Sequence, residues 1–183
     1  MKVEREMKSF NDIHEGDNLR WVASGKLESQ LQTASGEVLA TLEWNNRCSS
    51  LVTGESADGK WTPKRAGFLP RVTIRRAGMD ATVAEIQVNW NGGGDVRVAP
   101  GSEFQFRRLG FWNPGLGVFN VAGQEILSTK PNLSGQMASV KIKPSAENSP
   151  TKSLLAILSW YVIILSAEYD SDSGYMTAIV AIM

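Results

Sequence analysis

The sequence is poor in the two residue types that supply most catalytic bases, nucleophiles and metal ligands. Its 183 residues include one cysteine, Cys48, and one histidine, His14. A single cysteine excludes an internal disulfide framework and is typical of a reducing compartment. A single histidine without a nearby partner excludes Ser-His-Asp and Cys-His catalytic groups and most zinc sites. We therefore predict a cytoplasmic protein that is not an enzyme and uses no cofactor.

An excess of charge of either sign is also absent, because 19 lysine and arginine residues balance 19 aspartate and glutamate residues. Nucleic-acid binders usually carry a basic excess, so we expect no nucleic-acid partner. The first 18 residues, MKVEREMKSFNDIHEGDN, contain no apolar run. This start predicts that no secretory signal is present. It also predicts that residues 1–18 form a polar N-terminal arm, either loose or folded into one short amphipathic turn.

After residue 18 the sequence consists of short runs in which apolar and polar residues alternate. AEIQVNW, at 84–90, is one such run, and GEVLATLEW, at 36–44, is another. In the second run the alternation puts Leu39 on the other face, together with Glu37, Thr41 and Glu43. Alternation of period two with β-branched and aromatic residues predicts half-buried strands. The apolar face of the second run carries Val38, Ala40, Leu42 and Trp44.

Turn residues separate these runs at short intervals. Gly occurs with Ala, Asn or Asp in ASG, ADG, RAGMD, NGGGD, NPGLG and AGQ, where a tight reversal or a positive φ is needed. NGGGD, at 91–95, is predicted to be a hairpin turn and not a phosphate loop, because no Gly-Lys-Ser/Thr follows it. Counting the runs predicts about twelve short strands before Lys143, at the spacing of a barrel or sandwich.

One long apolar run lies near the C-terminus, in KSLLAILSWYVIILSAEYD. Between Leu154 and Leu165 only Ser159 is polar, and no residue is charged. A helix over 153–167 would be about 22 Å long, whereas a bilayer-spanning helix needs about 20 apolar residues. Because this helix would be apolar around its whole circumference, it needs burial on every side.

A closed sheet can supply that burial. A helix is about 10–12 Å wide with its side chains, and barrels of more than about eight strands leave room beyond their own side chains. We therefore predict a mainly β fold, a closed antiparallel β-barrel of about twelve strands formed by residues 19–183. The central hydrophobic helix at 153–167 would fill this barrel.

The charges that flank the helix leave a membrane-inserted alternative open. Lys141, Lys143 and Lys152 precede the apolar run, and acidic residues follow it. This polarity opposes the helix macrodipole at both ends. It is, however, similar to the positive-inside pattern of a membrane segment. In this alternative the segment 153–167 enters a bilayer instead of a barrel.

The order of these elements resembles the tubby C-terminal-like superfamily, which includes tubby domains, the plant LURP-one-related proteins and the phospholipid scramblases. The segments that carry the resemblance are LQTASGEVLATLEW, GKWTPKRAGF, VFNVAGQEILS and LLAILSWYVIILS, and it rests on architecture instead of a sharp motif. It implies a closed barrel around a central helix. It also implies binding of phosphoinositide head groups, as in tubby, or a link to calcium-dependent lipid scrambling. The tubby and LURP-one branches are not known for catalysis.

The chain departs from these relatives in two respects. It has no acidic, scramblase-like calcium segment ahead of the helix, and it has no cysteine cluster for acylation. The phosphoinositide-binding residues of tubby have no residue-by-residue counterparts here, so none of their roles is transferred.

One basic cluster indicates where an anionic ligand could bind. No acidic residue occurs between Lys60 and Gly78, and Trp61 and Phe68 are interleaved with the cations. Such a cluster can hold an anionic lipid head group through charge-assisted hydrogen bonds. The alternative is an outer strand face that points to water. The predicted head-group residues are Lys60, Lys64, Arg65, Arg71, Arg75 and Arg76, with Trp112 as a candidate for the barrel rim.

The segment EYDSDSGY offers a weaker candidate for a metal site. An EF-hand loop needs Gly at its sixth position and Glu at its twelfth. Here Gly174 is fifth from Asp170, and Ala181 is twelfth. Glu168, Asp170 and Asp172 are therefore candidates for a weak calcium site only, with an exposed loop as the alternative.

Together these features predict a non-catalytic, cytoplasmic barrel that binds a ligand or lipid. The expected partner is an anionic phospholipid, with the protein peripheral at a membrane surface. Two alternatives stay open. One is a membrane-associated, scramblase-like protein with 153–167 inserted, and the other is a structural interaction domain without a small-molecule site.

Overall fold

The structure, a computed structural model, describes residues 7–46, 51–66, 71–89, 93–110, 115–132, 136–144 and 151–169. Within these ranges the chain forms one 3-10 turn, twelve β-strands and one α-helix, α1, Lys152–Tyr169. The turn is Phe10–Asp12, and the strands are β1 Leu19–Gly25, β2 Glu28–Gln32, β3 Val38–Trp44, β4 Val52–Ser56, β5 Gly59–Ala66, β6 Arg71–Arg76, β7 Thr82–Val88, β8 Gly94–Val98, β9 Ser102–Leu109, β10 Gly115–Asn120, β11 Glu125–Pro131 and β12 Met137–Ile142.

The strands close into a single barrel. Each strand pairs antiparallel with the next one in sequence, and β1 pairs with β12. The closing register joins Leu19 to Val140 and Trp21 to Ala138. The short connections use glycine where the chain reverses, as at Gly36, whose φ of 88° suits a residue without a Cβ. The predicted closed, mainly β barrel of about twelve strands is therefore confirmed.

The helix α1 lies inside this barrel, and it extends slightly beyond the predicted 153–167. Its side chains are buried from Lys152 to Leu165. The ring of Trp160 stacks on Trp21 of β1, with the two centroids 6.2 Å apart. Across the described residues, no helix combines the length and the hydropathy that a bilayer-spanning segment needs.

Strands on other sides of the barrel also contact α1. The hydroxyl of Ser159 lies 2.7 Å from Thr129 Oγ1 of β11. Gly54 of β4 faces Ile157 so closely that a Cβ on this glycine would lie 2.6 Å from Ile157 Cγ2. Besides these contacts to β1, β4 and β11, the burial of every side chain from Lys152 to Leu165 shows that the helix is covered on every side, as predicted.

The described part of the N-terminal arm is folded back onto the barrel. Phe10 and Ile13 are buried. The backbone N–H of Lys8 donates to the Val38 carbonyl at 2.9 Å, and its ammonium lies 3.0 Å from Glu37 Oε2. The arm therefore contributes apolar side chains to the core beside the start of β3, with the 3-10 turn as its one helical element.

The strand β3 departs from simple alternation at one residue. Its pairing with β2 shifts between Leu31, opposite Ala40, and Gln32, opposite Val38. Leu39, the extra residue, is fully buried, as are Ala40 and Leu42 on the face that alternation sets opposite to it. A β-bulge sets two residues against one, and residue parity then no longer assigns the face of the extra side chain.

Candidate functional site

The predicted basic cluster lies on the hairpin of β5 and β6, where the pairing register divides it between two faces. Trp61 and Pro63 of β5 are buried, as are Val72 and Ile74 of β6. The residues between them therefore point outward, because side chains alternate along a strand. The outward cations are Lys60, Lys64, Arg71 and Arg75, which we call the β5–β6 basic face.

The other two predicted arginines do not join this face. Arg65 is paired with Val72, and Arg76 is paired with Trp61. Both therefore occupy inward-facing register positions, at opposite ends of the hairpin. Arg65 is half-buried and Arg76 is exposed. The six cations of the predicted cluster thus form one group of four and two separate arginines.

Carboxylates from neighbouring elements accompany three of the four cations on the β5–β6 basic face. The stretch from residue 60 to residue 78 has no acidic residue of its own. Strands β4 and β7, which flank the hairpin, and the β6–β7 turn supply them instead. The pairs are Lys60–Glu55 at 2.9 Å, Arg71–Glu85 at 2.7 Å and Arg75–Asp80 at 2.6 Å.

These ion pairs are exposed, so they leave the face open to a competing anion. The side chain of Arg71 is 63% exposed and that of Glu85 is 39% exposed. Exposed pairs contribute about 0–1 kcal/mol. The hydrogen bond that Arg71 donates to Glu85, together with the negative charge of Glu85, raises the pKa of Arg71. The side chain of Lys64 forms no ion pair with another described residue.

The structure describes only part of the calcium and barrel-rim candidates. Glu168 lies in the last turn of α1. Within the described residues, no three His, Cys, Asp or Glu side chains gather into a group that could hold a metal ion. The residues that lie outside the described ranges are Trp112, Asp170 and Asp172, together with Cys48 and Phe68.

A cleft that the sequence did not reveal lies beside the start of β8. It has a volume of about 350 Å³ and is bounded on its other side by the end of β9. Its signal in the sequence is the Arg-Arg doublet of SEFQFRRL, but only the pairing of β8 with β9 brings Gly94 and Asp95 next to it. The lining residues are Asn89, Gly93, Gly94, Asp95, Gln105, Phe106, Arg107 and Arg108.

The guanidinium of Arg107 is oriented in this cleft by uncharged partners. Its Nε and Nη2 donate to Gln105 Oε1 at 3.3 and 2.7 Å. Its Cζ lies 4.6 Å from the centroid of the Phe119 ring, a cation–π contact worth about 0.5–1 kcal/mol at an exposed site. Gly117 makes room for the ring, because a Cβ there would lie 2.7 Å from Phe119 Cε2. Arg107 forms no ion pair with any described residue.

Asp95 brings a negative charge to the same outer face. It is paired in register with Gln105 of β9, and Arg107 lies two residues further along that strand. No hydrogen bond or ion pair joins the Asp95 carboxylate to another described residue. The cleft therefore presents a cation and an anion side by side without a contact between them.

Comparison with known proteins extends the description of the fold. No family model matches the chain, and no curated protein matches it in sequence. An X-ray structure of a protein from Arabidopsis thaliana is similar, with a TM-score of 0.53 and 13% sequence identity, over 83% of this chain and 91% of that chain. At this identity the likeness concerns the fold alone.

Proposed function

We propose that this protein is a non-catalytic, tubby-like barrel that binds anionic phospholipid head groups through the β5–β6 basic face. The observation that carries the proposal is that Lys60, Lys64, Arg71 and Arg75 share one exposed face of two adjacent strands. The barrel closed around an apolar helix is the architecture implied by the resemblance to that superfamily, and it supports the assignment.

A head group can compete with the carboxylates that already pair with this face. Each existing pair contributes about 0–1 kcal/mol, whereas phosphate accepts two parallel hydrogen bonds from one guanidinium. An anionic membrane surface adds about 1 kcal/mol for each Lys or Arg close to it. A head group with several phosphates therefore replaces the three carboxylates at once, and Lys64 adds a fourth cation that is not held in an ion pair by any described residue.

The test compares vesicle binding by the protein and by the double variant Arg71→Ala/Arg75→Ala. Vesicles of phosphatidylcholine alone and vesicles that also contain phosphatidylserine or a phosphoinositide would be sedimented with each protein. We expect binding to the anionic vesicles only, weaker at high salt, and at least tenfold weaker in the variant, because two cations supply about 2 kcal/mol. The matched control is Arg20→Ala/Arg97→Ala, which removes the same charge from β1 and β8.

The alternatives give different results in this experiment. An inserted α1 would bind vesicles equally in the double variant and at high salt, because insertion is hydrophobic and is not screened. Insertion would also have to replace barrel contacts worth about 1.5–3 kcal/mol for each large apolar side chain. A structural interaction domain would bind no vesicle of any composition. Either result would overturn the proposal.

A further inference from the structure

The cleft between the start of β8 and the end of β9 holds its charges in an arrangement unlike that of the neighbouring outer surface. On the same two strands, Arg97 of β8 and Glu103 of β9 are directly paired in register and lie 3.4 Å apart. One step further along, Asp95 is opposite the neutral Gln105. Arg107 follows on the same face. Both places therefore contain opposite charges. Arg97 and Glu103 form an ion pair, whereas Asp95 and Arg107 do not.

Three contacts explain why Arg107 does not turn toward Asp95. Diagonal neighbours in an antiparallel pair are about 7–8 Å apart, which is within the reach of a long arginine side chain. The guanidinium instead donates twice to Gln105 Oε1, and it lies against Phe119. The ring of Phe119 can take this position because Gly117 has no side chain. The charge separation is therefore built into the sheet by Gln105, Phe119 and Gly117.

The remaining polar groups of the cleft are suited to a small ligand. Both hydrogens of Arg107 Nη1 and the amide nitrogen of Gln105 point to no described acceptor, and the same holds for the side-chain amide of Asn89. The volume of about 350 Å³ is that of a site for one small molecule. A plain anion would meet the repulsion of Asp95, and a plain cation would meet that of Arg107.

We propose that this cleft binds a small zwitterion, with a phosphate or carboxylate group on Arg107 and an ammonium group on Asp95. Asn89 and Gln105 donate hydrogen bonds to the anionic group. A short spacer of two carbon atoms, as in ethanolamine phosphate, matches a cation and an anion that are diagonal neighbours on one sheet face. The site is independent of the β5–β6 basic face, because no residue is shared between them.

The test is a titration of the isotope-labelled full-length protein with ethanolamine phosphate, followed by NMR chemical shifts. We expect shifts confined to the amides of Gly93–Asp95 and Gln105–Arg108. Inorganic phosphate and ethanolamine, which each carry one of the two groups, should bind at least fivefold more weakly. Equal affinity for inorganic phosphate, or no binding of ethanolamine phosphate, would overturn the proposal.

Two variants and one control test the roles of Arg107 and Asp95 in binding the anionic group and the ammonium group of the ligand. Arg107→Gln should weaken ethanolamine phosphate binding at least tenfold. Asp95→Asn should reduce the affinity for ethanolamine phosphate to that for inorganic phosphate. Arg97→Gln, which makes the same substitution on the neighbouring ion pair, should leave binding unchanged. Unfolding curves would show that each variant is folded, and unchanged binding in folded Arg107→Gln would contradict the assignment.

A parallel experiment with vesicles shows whether the zwitterion is a lipid head group or a free small molecule. Phosphatidylethanolamine carries the same group in a phosphatidylcholine bilayer, so binding to these vesicles that is lost in Arg107→Gln identifies a lipid head group. Binding of the soluble compound without vesicle binding identifies a free metabolite. Arg71→Ala/Arg75→Ala should change neither result, so failure of this proposal and failure of the lipid-face proposal are distinguishable.

Discussion

Ser159 and Thr129 form a hydrogen-bonded pair inside the barrel. The Ser159 hydroxyl donates to the Ala156 carbonyl at 2.8 Å. Because that bond uses its one proton, Thr129 is the donor in the 2.7 Å contact between the two hydroxyls. This pair accounts for the polar residue in the apolar run of α1, since a buried hydroxyl needs a partner.

Removing the two hydroxyls should have effects on the free energy of unfolding that are strongly coupled, so that the two losses do not add. Ser159→Ala leaves the buried Thr129 donor without its acceptor, so we expect a loss of about 1–3 kcal/mol in the free energy of unfolding. Thr129→Val should cost less, because Ser159 keeps its bond to Ala156. The double variant should be more stable than Ser159→Ala alone, since no donor is then orphaned. Urea unfolding measures all three, and simple additivity of the two losses would contradict the assignment of donor and acceptor.

At the scale of single elements, the N-terminal arm is attached to β3 by both apolar and charged side chains. Phe10 and Ile13 are buried, and the ion pair of Lys8 with Glu37 joins the arm to the residue just before β3. The hydrogen bond from Lys8 is the main cause that lowers the pKa of Glu37, with Ser35 as the next. The same hydrogen bond raises the pKa of Lys8.

The direction of these two shifts predicts how the arm responds to pH. A lowered pKa means that Glu37 stabilises the folded state above its ordinary pKa of 4.5, and that this contribution is lost as the pH falls below it. Lys8 stabilises the folded state below its ordinary pKa of 10.5. This stabilisation is lost as the pH rises through the raised pKa that Lys8 has in the folded protein. We expect Glu37→Gln to have a lower urea midpoint than the parent protein at neutral pH.

The difference between the parent protein and Glu37→Gln should shrink as the pH falls from 4.5 through the lowered pKa of Glu37, because the parent carboxylate becomes protonated over that range. The control is Glu15→Gln, which removes one negative charge from the same arm. A difference between the parent protein and Glu37→Gln that is constant across the acid range would show that the ion pair does not stabilise the arm.

At the scale of the whole molecule, the barrel and the helix each need the other. The interior of a twelve-stranded barrel is wider than its own side chains fill, and α1 is apolar around its circumference. Ile157, which faces Gly54 of β4, and Ser159, which contacts Thr129 of β11, are two positions apart and therefore lie on nearly opposite sides of the helix. Neither part buries its apolar surface alone, so we expect the chain to unfold in one cooperative step.

A charge in the buried first turn of α1 should therefore unfold the entire molecule. Leu155 is fully buried, and an isolated carboxylate without a partner costs several kcal/mol in such a place. We expect Leu155→Asp to lose the cooperative thermal transition seen by circular dichroism. Ser139→Asp, on the outer face of β12, is the matched control and should change the melting temperature little. A native-like melt of Leu155→Asp would mean that the helix is not enclosed.

The sequence predicted different parts of this molecule with different success, and the reasons are physical. Strands, turns and the helix depend on neighbours in the chain, so alternation and turn residues located them, apart from the bulge at Leu39. The basic face was located in part, because parity along β5 and β6 separates Arg65 and Arg76 from the outward four. The carboxylates opposite Lys60, Arg71 and Arg75 were missed, because they belong to other elements.

The sequence by itself determined that about twelve short strands precede a helix that must be buried on every side, because both features are periodic and local. Only the tertiary structure decided which strands meet at the seam, which carboxylate accompanies each cation, and that Asp95 and Arg107 share one cleft. These features depend on the register between strands. That register is set by hydrogen bonds between residues that are far apart in the sequence. A shift of one residue would send each of these side chains to the other face of the sheet.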